Sequence, residues 1–187
     1  MILEVAKQVL LPDPGASVND VAKAAGVTPQ LVRAYFTGRG TAPLYAAIFD
    51  EYLSALPDLL GEERLTAQSS PASIRKTTER VVGRYLDWAE QVGQAWVFGE
   101  SRDRPGTGIA ERWNATFEYT ADTLIKARGS SENADPVRAA IIAAMSSFNA
   151  IAHRMLSGGL ERSQAQAVLV ETFVALYTTV IPRLESG

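Results

Sequence analysis

Two polar side chains, Gln30 and Arg33, lie three residues apart in a short stretch with helical periodicity. A glutamine amide can form two hydrogen bonds with adenine, and an arginine guanidinium can do the same with guanine. Val32 and Phe36 share one apolar face, which leaves Gln30 opposite them and Arg33 on the flank. These side chains could therefore read the edges of base pairs, provided that a helix presents them to a groove.

The pattern around this stretch predicts two short helices joined by a glycine turn. Ser17 is a favourable N-cap with Asp20 three residues later, and Gly26 lies where the first helix must end in a left-handed residue. Thr28 caps the second helix, and Pro29 takes its first position, where the missing N–H costs nothing. This order, with polar residues early on the outer face of the second helix, is typical of a helix-turn-helix.

The stretch resembles the DNA-binding half of TetR-family transcriptional regulators. Their pattern, close to IA..AGV[ST]...[LIV]Y.[HY]F, reads here as Val21-Ala22, Ala25-Gly26-Val27-Thr28, Val32-Arg33 and Tyr35-Phe36. An ordinary helical hairpin in an all-α core is the alternative interpretation. Seven residues separate Phe36 from Leu44, two more than is usual in that family.

The resemblance implies which side chains contact a double-stranded DNA operator. Gln30 and Arg33 are assigned to base edges, although the family usually has tyrosine where Arg33 stands, and Asn19 occupies a position that reaches bases in some relatives. Phosphate contacts position a protein without specifying sequence. They are expected from residues with hydroxyl or cationic groups. The predicted DNA-binding set is Ser17, Asn19, Thr28, Pro29, Gln30, Arg33, Tyr35 and Arg39.

Composition excludes several classes of function. The chain of 187 residues has one histidine and no cysteine, which excludes disulfides and thiolate metal sites. No metal-binding spacing, G-x-S-x-G turn or phosphate-binding glycine loop occurs. We therefore expect that the protein is not an enzyme and needs no metal or other cofactor. Without a secretory signal or a run of eighteen apolar residues, we expect a cytoplasmic protein with no membrane partner.

The charge of the chain argues mildly against nucleic-acid binding. The net charge is −3 and the pI is near 5.3, whereas phosphate contacts need cations. The distribution of charge is more favourable, because residues 17–45 contain the cations Lys23, Arg33 and Arg39 and a single carboxylate, Asp20. The cationic patch is modest, so DNA affinity should depend on dimerisation and on neutral hydrogen-bond donors.

Helical periodicity continues to the C-terminus and no strand-like alternation persists, which predicts an all-α protein. Proline, glycine and serine concentrate between residues 57 and 73, which indicates a junction. We predict an N-terminal three-helix helix-turn-helix domain at residues 1–56. A C-terminal helical domain for ligand binding and dimerisation follows at residues 57–187, for a TetR-like total of about nine helices.

The last two long helices, residues 137–156 and 165–181, are apolar on nearly all sides. Such helices must be covered on more than one side. The TetR-like resemblance implies that a second copy covers one side, in a four-helix bundle of a homodimer. Burial as central helices of a monomer is the alternative. The predicted dimer contacts are Ile142, Met145, Val170, Phe173, Val174 and Tyr177.

Aromatic residues concentrate between positions 85 and 119, where all three tryptophans lie. Ligand pockets combine apolar walls with a few polar groups. The resemblance implies a pocket for a small-molecule effector. Core packing with satisfied polar groups is the alternative. The predicted ligand-binding residues are Tyr85, Trp88, Trp96, Trp113, Phe117, Asn149 and His153.

These features together predict a ligand-responsive, dimeric, DNA-binding transcriptional regulator. The version that we favour is a repressor that a small molecule releases from a palindromic operator, although the residues do not distinguish repression from activation. The alternative is a helical dimer that retains the helix-turn-helix fold but binds small molecules or proteins without specific DNA binding. The acidic pI and the longer loop slightly favour this alternative.

Overall fold

The structure is a computed structural model that describes residues 1–54, 56, 65–66, 69–93, 107–129 and 134–186. Every regular element in these ranges is helical, which confirms the predicted all-α fold. The elements are α1 (Ile2–Leu10), α2 (Val18–Ala25), α3 (Pro29–Tyr35), α4 (Ala42–Ser54), α5 (Pro71–Val92), α6 (Ile109–Arg128), α7 (Ala134–Leu156), α8 (Arg162–Ala175), a π-helical segment (Leu176–Val180) and α9 (Ile181–Glu185).

The chain divides into two compact units. The first comprises Met1–Ala55 with Glu100–Ala110, and the second comprises Leu56–Gly99 with Glu111–Gly187. Helices α1–α4 belong to the first unit, and α5, most of α6 and α7–α9 belong to the second.

The first unit has its own core, to which each of its helices contributes. Leu10 of α1, Val21 of α2, Val32 of α3 and Phe49 of α4 are each at most 1% exposed. Full burial of such a side chain stabilises a fold by about 1.5–3 kcal/mol. Helix α1 packs against α2 and α4, and α2 packs against α3, so the apolar face of α3 is fixed and its other face is left outside.

Two polar contacts join α1 to α4 and hold this frame. The hydroxyl of Tyr45 donates to the carbonyl oxygen of Leu10 at 2.9 Å. That carbonyl is one of the last four of α1, which have no partner within the helix. The ammonium group of Lys7 lies against the carboxylates of Glu4 and Glu51. Burial is the largest single influence on the pKa of Lys7 and lowers it, but the two carboxylates together outweigh burial and raise that pKa.

The turn between α2 and α3 is the one that the sequence predicts. Gly26 has φ 66° and ψ 29°, in the left-handed region that a side chain disfavours. The N–H of Val27 donates to the carbonyl oxygen of Ala22 at 3.0 Å, as in a Schellman motif. The side chain of Thr28 accepts from the N–H of Leu31, and Pro29 opens α3.

The loop before α4 is shorter than the sequence indicates. The pattern predicts that the helix resumes at Leu44, but α4 begins at Ala42, because the carbonyl of Thr41 already accepts from the N–H groups of Leu44 and Tyr45. Gly38 has φ 145°, and a Cβ atom there would lie 2.6 Å from Cγ of Pro43. Glycine is therefore required for the chain to turn this closely against the start of α4.

In the second unit, α5 and α7 both pack against α8, and α9 packs against α7. Ion pairs reinforce the contact between α5 and α8. The guanidinium of Arg75 makes two hydrogen bonds with the carboxylate of Glu171, at 2.7 and 3.1 Å. The guanidinium of Arg162 contacts Asp87 at 2.6 Å and Glu90 at 3.2 Å. Exposed pairs of this kind contribute at most about 1 kcal/mol each, so apolar burial dominates.

Helix α6 is joined to its neighbours through long charged side chains. Arg138 of α7 donates to the carboxylate of Asp122 at 3.1 Å. Arg128 at the end of α6 contacts Glu185 of α9 at 3.0 Å. The aromatic side chains of α6 fill part of the space between this helix and α5, α7 and α8, and they leave the cavity described below.

The π-helical segment Leu176–Val180 has a local cause. Pro182 has no N–H, and its ring would clash with the carbonyl of Thr178 in a regular helix. The chain widens instead, and the N–H of Ile181 donates to the carbonyl of Leu176, five residues earlier.

Two helical stretches, Asp135–Leu156 and Arg162–Glu185, are long and apolar enough to cross a membrane by length and composition alone. Core helices of soluble proteins meet the same criterion, and here Ile141 and Leu169 are fully buried inside the unit. Average hydropathy thus identifies two helices that a search for uninterrupted apolar runs does not.

We predict that Tyr45→Phe lowers the free energy of unfolding by about 1–2 kcal/mol, because the carbonyl of Leu10 loses its partner in a buried place. Tyr119→Phe is the matched control, since Tyr119 is 72% exposed. Urea unfolding followed by circular dichroism measures both. Equal stabilities of the two variants would show that the Tyr45 hydrogen bond does not hold α1 against α4.

Candidate functional site

The outer face of α3 presents polar and apolar groups together. Gln30 and Arg33 are exposed, as the pattern predicts. Tyr35 is 71% exposed and Leu31 is 41% exposed, and these two residues lie four apart on one side of the helix. The sequence prediction does not include Leu31. Because Leu31 lies away from the apolar Val32–Phe36 face, the helical pattern could have predicted that its side chain is exposed.

Arg33 of α3 lies beside Asn19 of α2. The Nη2 atom of Arg33 is 3.5 Å from Oδ1 of Asn19, which is the long limit of a hydrogen bond. Fourteen residues separate the two in sequence, and the helix-turn-helix brings them together. The contact restricts Arg33 weakly and gives α2 and α3 a shared polar surface. Both side chains are exposed, so a ligand could still recruit either of them.

The two predicted phosphate-contacting hydroxyls differ in their surroundings. Both the N–H and the hydroxyl of Ser17 donate to Oδ2 of Asp20, at 2.8 and 2.6 Å. These bonds complete a capping box and lower the pKa of Asp20. A phosphate would have to compete with that carboxylate for Ser17. Thr28 accepts through Oγ1 from the N–H of Leu31 at 3.2 Å, so its own hydroxyl hydrogen can still donate.

Three cations surround this surface. Arg39 is exposed in the turn between Gly38 and Gly40, both of which have positive φ. Lys23 of α2 and Arg33 are also exposed. Pro29 is partly buried in the first turn of α3 and contributes shape, not a hydrogen-bond donor. The helix-turn-helix therefore has the charge that phosphates require, on exposed and adjustable side chains.

The second unit contains a cavity of about 90 Å³. Aliphatic and sulfur-containing side chains on its wall are Leu56, Val81, Leu124 and Met145. The aromatic wall consists of Trp113, Phe117, Phe148 and Phe173. Its polar groups are Tyr85, Thr116, Thr120 and Asn149. The structure thus brings together Tyr85, Trp113, Phe117 and Asn149 of the predicted ligand-binding residues.

The other predicted ligand-binding residues have different positions. Trp88 is buried and its ring centroid is 5.6 Å from that of Tyr85, but it is not part of the wall. His153 is partly buried on α7 and is also absent from the described wall. Trp96 lies outside the described residues. Phe148 and Phe173 lie on the wall but are not among the predicted ligand-binding residues, although Phe148 is next to Asn149 in the sequence. Their rings meet edge to face at 4.8 Å.

Tyr85 and Asn149 form the polar centre of the cavity. The hydroxyl of Tyr85 donates to Oδ1 of Asn149 at 3.0 Å. Both residues are buried, with 7% of Tyr85 and 2% of Asn149 exposed. Burial raises the pKa of Tyr85 well above its ordinary value, so the phenol stays protonated at physiological pH. The Nδ2 atom of Asn149 is buried and has no hydrogen-bond partner in the part of the chain that the structure describes.

Searches of protein-family models and of curated proteins give no match for this chain. Solved structures do match over nearly the whole length. The chain is similar to the fatty acid degradation regulator FadR from Bacillus halodurans, with a TM-score of 0.66, 15% identity, and coverage of 96% of this chain and 94% of that one. It is also similar to a TetR-like transcriptional regulator from Rhodococcus sp. RHA1, with a TM-score of 0.57, 16% identity, and coverage of 93% and 92%.

The chain has the TetR-family regulator fold. This confirms the resemblance that residues 21–36 carry, and it extends the fold from the helix-turn-helix to the helices of the second unit. The neighbours are transcriptional regulators and not enzymes. Among the described residues of this TetR fold, no group of three or more His, Asp or Glu side chains is arranged to hold a metal ion.

Two of the predicted dimer contacts are buried within the single chain of this TetR fold. Val170 and Tyr177 are 5% and 3% exposed, so the chain itself already covers most of their area, and their contact with a second copy stays a prediction. The ring of Tyr177 lies under the guanidinium of Arg128, at 5.6 Å from its centroid, and burial raises its pKa to about 12. Met145 and Phe173, which are also predicted dimer contacts, line the cavity.

The other predicted contacts, Ile142 and Val174, are partly buried against the core of the unit. The groove that α7 and α8 expose is formed mostly by small side chains. We call it the small-residue groove, and its residues are Ala140, Ala143, Ala144, Ser147, Thr172, Ala175, Leu176 and Val180. Periodicity did not identify these residues, because small side chains carry little hydropathy signal.

We predict that Tyr85→Phe destabilises the protein by about 1–3 kcal/mol, since it leaves both polar atoms of Asn149 without a partner. The double variant Tyr85→Phe/Asn149→Leu removes all three polar atoms and should return to wild-type stability or exceed it. Thermal and urea unfolding of the two variants check this. A double variant less stable than the single one would contradict the hydrogen-bonding described here.

Proposed function

We propose that this chain is a dimeric, DNA-binding transcriptional regulator, which represses transcription until a small-molecule effector releases it from a palindromic operator. In this proposal residues 1–56 bind DNA, and residues 57–187 bind the effector and dimerise. The observation that carries the proposal is the exposed outer face of α3, with Gln30 and Arg33, in a chain that matches the TetR fold over nearly its whole length.

Base recognition would come from the shared polar surface of α2 and α3. A major groove admits one α-helix, and residues at the start of that helix reach the base edges. Gln30 is the second residue of α3 and Arg33 is the fifth. Asn19 lies beside Arg33 and could either orient the guanidinium or contact a base itself. The exposed Leu31 adds an apolar contact for a thymine methyl group.

Phosphate contacts would come from the cations and hydroxyls around α3. Arg39 and Lys23 are exposed, and Thr28 has a hydroxyl hydrogen to donate. Because the whole chain has a net charge of −3, phosphates far from this surface would be repelled. Binding should weaken as the salt concentration rises, in proportion to the number of phosphates that these cations contact, and two copies that bind together would double that number.

The small-residue groove supports a homodimer. Ala143 and Ala175 are exposed on helices that are rich in apolar residues, and Val180 at the same groove is 39% exposed. Small side chains allow two helix backbones to approach closely, so α7 and α8 from two copies could form a four-helix bundle. A two-fold dimer would place two recognition helices about 34–36 Å apart on a palindrome.

The arrangement of α7 and α8 offers a route from effector to DNA. Both helices contribute to the cavity, through Asn149 and Phe173, and both contribute to the small-residue groove, through Ala143 and Thr172. A ligand that moves either helix would change the dimer surface and hence the separation of the recognition helices. By linkage, a ligand that prefers the wrongly spaced dimer lowers DNA affinity, and DNA lowers ligand affinity by the same factor.

Selection from fragmented genomic DNA with the purified protein tests DNA binding. We expect a palindrome to be enriched. Gln30→Ala should relax the preference at one base position in each half-site and cost about 1–3 kcal/mol, whereas Arg39→Ala should weaken all sequences and reduce the salt dependence. No enriched sequence at low salt would instead favour a helical dimer that binds small molecules or proteins without specific DNA binding.

Matched controls separate local effects from general ones. Gln8→Ala removes an exposed glutamine from α1, and Arg84→Ala removes an exposed cation from α5. Neither should alter the selected sequence or the salt dependence. A profile for Gln30→Ala that is identical to the Gln8→Ala profile would refute the base-reading role of Gln30.

We predict that Ala143→Arg converts the dimer to a monomer and lowers operator affinity by at least tenfold, since a cation in an apolar helix interface is costly to desolvate. Ala115→Arg on α6 is the matched control, because Ala115 is also an exposed alanine within a helix. Sedimentation equilibrium measures the oligomeric state. A dimer that survives Ala143→Arg would place the interface elsewhere.

A further inference from the structure

We propose that the cavity of the second unit recognises an uncharged, mainly apolar small molecule through one hydrogen-bond acceptor, such as a ketone or ester carbonyl, which the Nδ2 group of Asn149 binds. The inference rests on the proposed function in treating the cavity as an effector site, and it adds the chemical class of the ligand and the atom that selects it.

The first argument is the unpaired amide. Buried polar groups in proteins are nearly always hydrogen-bonded, and a buried donor without a partner destabilises the fold. Asn149 is 2% exposed and lies on the cavity wall, and its Nδ2 atom has no partner among the described residues. A ligand acceptor at this atom would recover that cost, whereas an apolar molecule of the same shape would not.

The second argument is the orientation of the amide. The oxygen and nitrogen of an asparagine are distinguished by their hydrogen-bond partners. Here the hydroxyl of Tyr85 lies 3.0 Å from Oδ1 of Asn149 and donates to it. The amide oxygen is therefore engaged by the protein, and the side that remains for a ligand is the N–H donor. A ligand acceptor fits this donor and a ligand donor does not.

The third argument is that the other hydroxyls on the wall are already engaged. Thr116 donates to the carbonyl of Arg112 at 2.9 Å, and Thr120 donates to the carbonyl of Thr116 at 2.8 Å. Both bonds lie within α6, so these hydroxyl hydrogens are directed back to the helix. Asn149 is a described wall residue whose side-chain N–H is left to offer.

The fourth argument concerns charge. The described wall of the cavity contains no lysine, arginine, histidine, aspartate or glutamate. Moving an unpaired carboxylate or ammonium group into such surroundings is unfavourable, because no opposite charge replaces the lost water. The cavity therefore selects against charged ligands. Its volume of about 90 Å³ also favours a compact molecule.

Three probes with the same five-membered ring test the proposal on the full-length protein. Cyclopentanone carries an acceptor, methylenecyclopentane replaces the C=O by C=CH₂, and cyclopentanecarboxylate is charged. Affinities are measured by NMR titration of ¹⁵N-labelled protein. We expect cyclopentanone to bind and to shift the side-chain NH₂ resonances of Asn149, which are assigned by their loss in Asn149→Leu. The carboxylate should bind more weakly than the ketone.

The decisive quantity is the ratio of the alkene Kd to the ketone Kd, because it cancels the contribution of the ring. The ratio should fall about fivefold in Tyr85→Phe/Asn149→Leu, which removes one hydrogen bond to the ligand. The double variant is preferred to Asn149→Leu alone, since it leaves no phenol without its acceptor. Tyr85→Phe should keep the NH₂ shift. An unchanged ratio, no ketone binding, or tighter binding of the carboxylate would overturn the proposal.

A separate measurement of operator binding distinguishes this inference from the proposed function. If the ketone binds at Asn149 and operator affinity does not change, the inference holds and the ligand response of the proposed function fails. If the carboxylate releases the protein from DNA and the ketone neither binds nor releases it, the proposed function holds and the inference fails.

Discussion

Helices α7 and α8 carry more apolar surface than one side of a core can cover, and the organisation of the second unit depends on this constraint. One side of the pair is buried by its own chain, where Ile141 and Leu169 are fully inaccessible. Another side forms the small-residue groove, and a third contributes Asn149 and Phe173 to the cavity. Because each helix contributes to the core, the small-residue groove and the cavity, few substitutions in it can change one of these surfaces without changing another.

Features that depend on neighbouring residues could be predicted from the sequence, and features that depend on packing could not. Caps and turns depend on a few adjacent residues, so Ser17, Gly26 and Pro29 predicted the helix-turn-helix boundaries. The early start of α4 at Ala42 was missed, because Thr41 acts through its backbone carbonyl and has no distinctive sequence pattern. In α8 the apolar residues have almost no preferred side, so periodicity could not decide that Val170 faces inward.

The cavity was predictable only in part, for a related reason. Clustered aromatics predicted that a wall exists, and Tyr85 and Trp113 belong to it. Trp88 is three residues from Tyr85 and is just as buried, yet it packs outside the wall. Composition cannot separate two such positions, because both are apolar and both are inaccessible. The separation depends on how α5 packs against α6, α7 and α8, which composition does not specify.

The two candidate sites differ in how their polar groups are prepared for a partner. On α3 the groups are exposed and solvated, so water satisfies Gln30 and Arg33 until a base edge replaces it, and specificity must come from geometry. In the cavity the N–H of Asn149 is buried and has no partner among the described residues, so this single group can discriminate between ligands although it is one atom. A sequence search for charged or metal-binding clusters finds neither site. The turn between α2 and α3 predicted the DNA-binding surface. The free N–H of Asn149 can be recognised only once the Tyr85 hydroxyl, 64 residues away in the chain, is known to occupy the amide oxygen.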